Sequence, residues 1–120
     1  LVFDVTSSPT NFIAENQQLL SKFLKVTANA NTQWNAKKDP AMLKVIAKES
    51  GMDEAAAAKS IATMSFPSAK DQLSKQWLGG NVQTFMKGVA DVFMTAGNIK
   101  KVLPSYDKSV NTAPLMQAVK

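Results

Sequence analysis

Between Gln17 and about Lys38 the apolar residues Leu19, Leu20, Phe23, Leu24, Val26, Ala30 and Trp34 return at steps of three and four, with Thr27 among them. That spacing lines them along one side of an α-helix, and Lys22, Lys25, Asn29, Gln33 and Lys37 fall on the side left to water. Pro40 ends the helix, because its ring fixes φ and restricts the residue before it. A helix of this length draws most of its stability from packing its apolar side, so the pattern demands a partner surface.

The first residues follow a different period. Leu1, Phe3 and Val5 alternate with Val2, Asp4 and Thr6, which predicts a strand over 1–6 that Ser7-Ser8-Pro9-Thr10 breaks. Asn11 to Glu15 suit one turn of helix, and Asn16 suits an N-cap for the long helix. Asp39-Pro40 restarts a helix that Gly51 closes, and Asp53 with Glu54 opens another to about Met64. In that helix Ala55 to Ala58 offer little volume and fit close helix packing. After Phe66-Pro67, Ser68 to Asp71 reads as a capping box for a short helix through Leu73, Trp77 and Leu78, stopped by Gly79-Gly80. Val82 to Ala96 repeats the helical spacing until Gly97-Asn98. The tail from Ile99, interrupted by Pro104 and Pro114, leaves room for one short terminal helix. The expected fold is mostly α, with about five helices and one N-terminal strand. A lone strand cannot stand by itself, so either it pairs with a sheet outside this sequence or it is not a strand here.

Composition narrows the chemistry. A length of 120 residues with 45% apolar residues and no internal repeat fits a single segment over 1–120: strand 1–6, helical region 11–97, tail 98–120. No run approaches the roughly 20 apolar residues of a membrane span. The chain starts inside an apolar alternation without Met, which reads as a piece of something longer. Net charge is +5, from 14 Lys and no Arg, and the lysines are scattered between carboxylates. Such a surface is solvated rather than shaped for nucleic acid, where Arg forks read bases and phosphates.

His and Cys are absent, which removes the usual zinc ligands, the thiol nucleophile and the common base near neutral pH. No Gly-x-Ser-x-Gly elbow, phosphate loop or dinucleotide glycine pattern occurs, and the carboxylates lack calcium-loop spacing. The expectation is a protein that is not an enzyme and needs no cofactor or metal. Asp4 stands apart. At a strand end it is either a solvent-facing residue or a carboxylate facing a cleft, able to pair with a cationic ligand group. Trp34 and Trp77 fit a core; Phe66, at a Pro break, has a stronger claim to a pocket wall.

Several segments in order sharpen this picture. They are the strand with Asp4, Ser8-Pro9-Thr10-Asn11-Phe12, Glu15-Asn16-Gln17-Gln18-Leu19-Leu20-Ser21-Lys22-Phe23, Ala47-Lys48-Glu49-Ser50-Gly51-Met52-Asp53, and Ala96-Gly97-Asn98-Ile99-Lys100-Lys101-Val102-Leu103-Pro104-Ser105-Tyr106-Asp107. Together they resemble the C-terminal part of periplasmic solute-binding proteins of the taurine/alkanesulfonate-binding family, in the branch that also holds nitrate- and thiamine-precursor-binding proteins. The resemblance covers nearly the whole chain, through order and spacing rather than one motif. It implies a two-lobe α/β fold, mostly encoded upstream, that closes on taurine or another small sulfonate. Its partners would be the membrane subunits of an ATP-binding-cassette importer, and its location the periplasm or cell surface. Asp4 would hold the ammonium of taurine, with Thr6 on the same face and Phe66 as further ligand contacts. Backbone N–H groups upstream would hold the sulfonate. The alternative is a free-standing helical interaction domain that uses its apolar stripe on a partner or on a second copy of itself.

Overall fold

The computed structural model describes residues 2–37 and 39–120. Leu1 of the expected strand, Lys38 at the expected helix end and the side chain of Lys37 lie outside the described residues. Helix accounts for 62% of the chain and no strand forms among the described residues, so the mostly α expectation holds. Seven α-helices follow in order: α1 (Thr10–Glu15), α2 (Gln17–Lys37), α3 (Pro40–Ser50), α4 (Glu54–Ile61), α5 (Ala69–Gln72), α6 (Asn81–Thr95) and α7 (Ala113–Ala118), with a 3-10 turn at Asp107–Ser109 before the last. They fall into two compact units, Leu1–Lys25 with Ala69–Lys120, and Val26–Ser68.

The Val26–Ser68 unit is built on local signals. The Asp39 carboxylate accepts the N–H of Ala41 at 2.8 Å, and Pro40 occupies the first turn, where no N–H is needed. Gly51 ends α3 in the left-handed region at φ 70°, which lets the N–H of Met52 reach back to the Ala47 carbonyl at 2.9 Å. Asp53 then accepts the N–H of Ala56 at 2.8 Å and starts α4. The helices α3 and α4 pack on each other, and the buried residues they present are Ala47 and Ala57. Small side chains let two backbones approach, the use expected of the alanine run, although only Ala57 of that run is fully buried.

In the other unit α6 buries Val82 and Ala90, and α7 buries Pro114, Leu115 and Ala118. Pro114 does not interrupt here as expected. It sits in the first turn of α7, where its missing N–H would have had no partner, and Asn111 Oδ1 accepts the N–H of Ala113 at 3.0 Å beside it. The helix expected through Leu78 stops at Gln72. Beyond it the Leu78 N–H returns to the Gln72 carbonyl and Gly79 to Ser74, both at 2.9 Å, so the backbone winds into turns before α6.

Two further expectations are corrected. Residues 2–9 are neither strand nor helix, because the described residues supply no second strand to share a ladder. Along α2, the apolar stripe expected to pack is partly uncovered: Leu19, Phe23 and Val26 are 57%, 53% and 68% exposed. The buried residues are instead Ser21 and Ala28, with Leu20, Leu24, Asn31 and Trp34 half-buried. At 3.6 residues per turn this places the covered face about a quarter-turn from the centre of the apolar arc. Asn16, expected as the N-cap of α2, does stand at that position, its carbonyl accepting the Leu20 N–H at 3.0 Å, while its side-chain amide donates to the Phe12 carbonyl at 3.1 Å and closes α1.

Candidate functional site

Phe3 seats the segment that carries Asp4. Phe3 meets Trp77 and Phe85 edge-on, with ring centroids 5.3 Å apart in both pairs and interplanar angles of 83° and 70°. Edge-to-face pairs contribute about 0.5–1.5 kcal/mol each beyond their buried area, enough to seat a segment that has no ladder. Trp77 therefore packs, as expected. Asp4 and Thr6 are exposed on either side of Val5, and among the described residues neither has a hydrogen-bond or ion-pair partner. The Asp4 carboxylate is free to meet a cation. In water such a pair is worth little, so a firm hold on a ligand requires a cover that excludes solvent.

Phe66 belongs to the other unit, in the loop after α4, and is half-buried. Its carbonyl accepts the Asn35 side-chain N–H at 2.6 Å, and the Pro67 carbonyl accepts that of Asn31 at 3.4 Å. Two amides four residues apart project from the same side of α2 and satisfy carbonyls that a Pro-containing loop leaves open. The sequence reading missed this clamp. Its only signal was the i, i+4 spacing of two Asn on a long helix. Neither unit by itself brings Phe66 together with Asp4 and Thr6.

A second feature was also missed. Gln18, Ser21, Lys22 and Lys25 of α2, with Gln117 and Ala118 of α7, line a surface groove of about 240 Å³. Ser21 is only 6% exposed, yet its hydroxyl finds no hydrogen-bond partner. A buried polar group left in that state costs about 1–3 kcal/mol. Among the described residues Lys22 and Lys25 form no ion pair, unlike Lys87, whose ammonium lies 3.0 Å from Asp91. No group of three or more metal-ligating side chains gathers among the described residues. No described helix is long and apolar enough to cross a membrane.

No family model, characterised protein or solved structure matches the chain. The groups in place are suited to binding. Asp4 and Thr6 offer a negative charge and a hydroxyl on one segment. The groove carries the side chains of two lysines and two glutamines at its rim, while the Ser21 hydroxyl has almost no accessible surface.

Proposed function

We propose that the chain is the C-terminal part of a two-lobe α/β solute-binding protein that captures taurine or a related small sulfonate for an ATP-binding-cassette importer, in the periplasm or at the cell surface. The order of segments from Asp4 to Asp107 supports the family, and the observation that carries the ligand is the unpaired, exposed Asp4 carboxylate on a segment seated by Phe3. Taurine has an ammonium at one end and a sulfonate at the other. Asp4 takes the ammonium, and a second lobe closing over it removes the water that would otherwise screen the pair. Thr6, on the same segment, adds a hydrogen bond. The protein performs no chemical step in this role; its partners are the ligand and the importer's membrane subunits. The apolar stripe of α2 is then the surface on which the sheet of the larger fold rests.

Calorimetric titration of the full-length protein with taurine and with isethionate, which has a hydroxyl in place of the ammonium, tests the ligand. Taurine binds more tightly, and Asp4→Ala weakens taurine by at least about tenfold, or about 1.4 kcal/mol, while leaving isethionate unchanged. Failure to bind any sulfonate, nitrate or pyrimidine ligand sinks the proposal. The exposure of Leu19, Phe23 and Val26 also favours a second reading, a helical domain that docks through this stripe. In that case the isolated chain binds an apolar dye or self-associates, and Leu19→Glu with Phe23→Glu abolishes both. A monomer that ignores the dye removes the basis of the second reading.

A further inference from the structure

We propose that Lys100-Lys101 is a processing site, at which an endoprotease with an acidic specificity pocket cuts the folded chain once and leaves α7 held by packing alone. Every residue from Ala96 to Lys101 is exposed, and so are Leu103, Pro104 and Ser105. From Asn98 onward the segment is neither helix nor strand, and Ile99, Lys100, Lys101 and Val102 make no hydrogen bond among the described residues. Backbone N–H and C=O groups always seek partners, and here only water is at hand to serve them. Proteins that bind an extended peptide take over such groups through main-chain hydrogen bonds, so an unpaired backbone is the first requirement of a cleavage site. Exposed irregular segments are accordingly where folded chains are nicked.

The second requirement is a side chain for the pocket. A lysine ammonium pairs with the carboxylate at the base of a trypsin-type pocket, and neither Lys100 nor Lys101 has a carboxylate partner among the described residues. Every other described lysine except Lys120, the last residue, lies in a helix or a turn. Lys75, for example, has its carbonyl taken by the Asn81 N–H at 3.1 Å. The helical scaffold stops just short of the pair: Gly97 closes α6 in the left-handed region at φ 79°, and the Asn98 N–H returns to the Phe93 carbonyl at 2.9 Å. Hydrolysis after Lys101 breaks its bond to Val102. Water gives its hydroxyl to the Lys101 carbonyl carbon and a proton to the departing Val102 amine. The product 102–120 contains α7, and the contacts that bury Pro114, Leu115 and Ala118 then act between two molecules. The segment is remote in sequence from Asp4, and the site does not depend on the sulfonate reading.

The test is digestion of the 120-residue chain with a small amount of trypsin, the earliest products being weighed by mass spectrometry. The first cut is expected after Lys100 or Lys101, ahead of all other lysines. Either lysine fits the pocket, so Lys100→Gln or Lys101→Gln alone leaves that cut in place, and the two together slow it by about tenfold or more. Adding about 1 M urea changes the rate by less than about twofold, whereas a route through global unfolding speeds it at least about fivefold. The purified nicked form melts at a lower temperature as it is diluted, because α7 has become a separate binding partner, while the melt of the intact chain is unmoved. A first cut at any other lysine, Lys37 and Lys38 included, would overturn the proposal. So would a double variant cut as fast as the parent, cleavage that urea accelerates, or a nicked form whose melt ignores dilution.

Discussion

Leu115→Ala lowers the stability of the chain by about 3 kcal/mol, within the range of about 2–5 kcal/mol seen when a buried leucine is truncated. Leu115 is 4% exposed, and the other buried apolar residues of its unit are the smaller Val82, Ala90, Pro114 and Ala118. No residue between Ala90 and Pro114 is fully buried, so α7 is where the end of the chain joins the core. Removing its largest anchor leaves a cavity that neighbouring alanines cannot fill. Domains are stable by only about 5–15 kcal/mol, so such a loss is a large fraction of the total. Urea unfolding shows a lower midpoint with the slope unchanged. Met116→Ala is the control, because Met116 is 52% exposed and surface substitutions usually shift stability by less than about 0.5 kcal/mol. A Leu115→Ala variant as stable as the Met116→Ala variant would mean that α7 is not docked.

Replacing glycine by alanine has opposite effects at two positions. At Gly79 an added Cβ would lie 2.7 Å from the Ser74 carbonyl oxygen, 2.9 Å from its carbon and 3.0 Å from the Lys75 nitrogen. All three are backbone atoms, fixed by the hydrogen bonds of the turn, and none can swing aside. Overpacking typically costs about 1–3 kcal/mol, and a clash with backbone belongs at the upper end, about 3 kcal/mol. The same turn carries Trp77, which holds Phe3, so the near-ultraviolet circular dichroism of the aromatic cluster weakens along with the stability. At Gly88, in the middle of α6, nothing lies within 4 Å of the added Cβ. Alanine there raises stability by about 0.5–1 kcal/mol, because glycine gives up more backbone freedom in a helix. Thermal melts of the two variants should move in opposite directions; equal shifts would mean that the turn accommodates the methyl group.

What the sequence made legible was chemistry between near neighbours. Asp39, Pro40, Gly51 and Asp53 act on backbone groups within a few residues, and each does what its type predicts. The signals that failed depend on partners far along the chain. The alternation of 1–6 is that of a strand, but a strand needs a ladder that residues elsewhere must provide. The apolar arc of α2 is wider than its covered face, and periodicity alone cannot say which edge is covered. Pro114 reads as a break until the turn around it is known to begin a helix. Among the candidate site residues, the seating of the Asp4 segment by Phe3 against Trp77 and Phe85 was not legible, because it joins residues far apart in the chain. Ser21 carries no signal in sequence, since a serine within a helix is ordinary until its burial is known.

The division of the chain has a consequence for its birth on the ribosome. The unit Val26–Ser68 is continuous, whereas the other draws on both ends of the chain. Loop-closure entropy must be overcome before distant segments are rewarded for meeting, and this slows structures built from remote parts. The middle of the chain can take shape as soon as it clears the exit tunnel. The flanking unit waits until Ala69–Lys120 follows the segment Leu1–Lys25 that it joins. Until Trp77 and Phe85 are made, Phe3 has no ring to pack against, so a chain cut short before Trp77 should show up first as a client of chaperones.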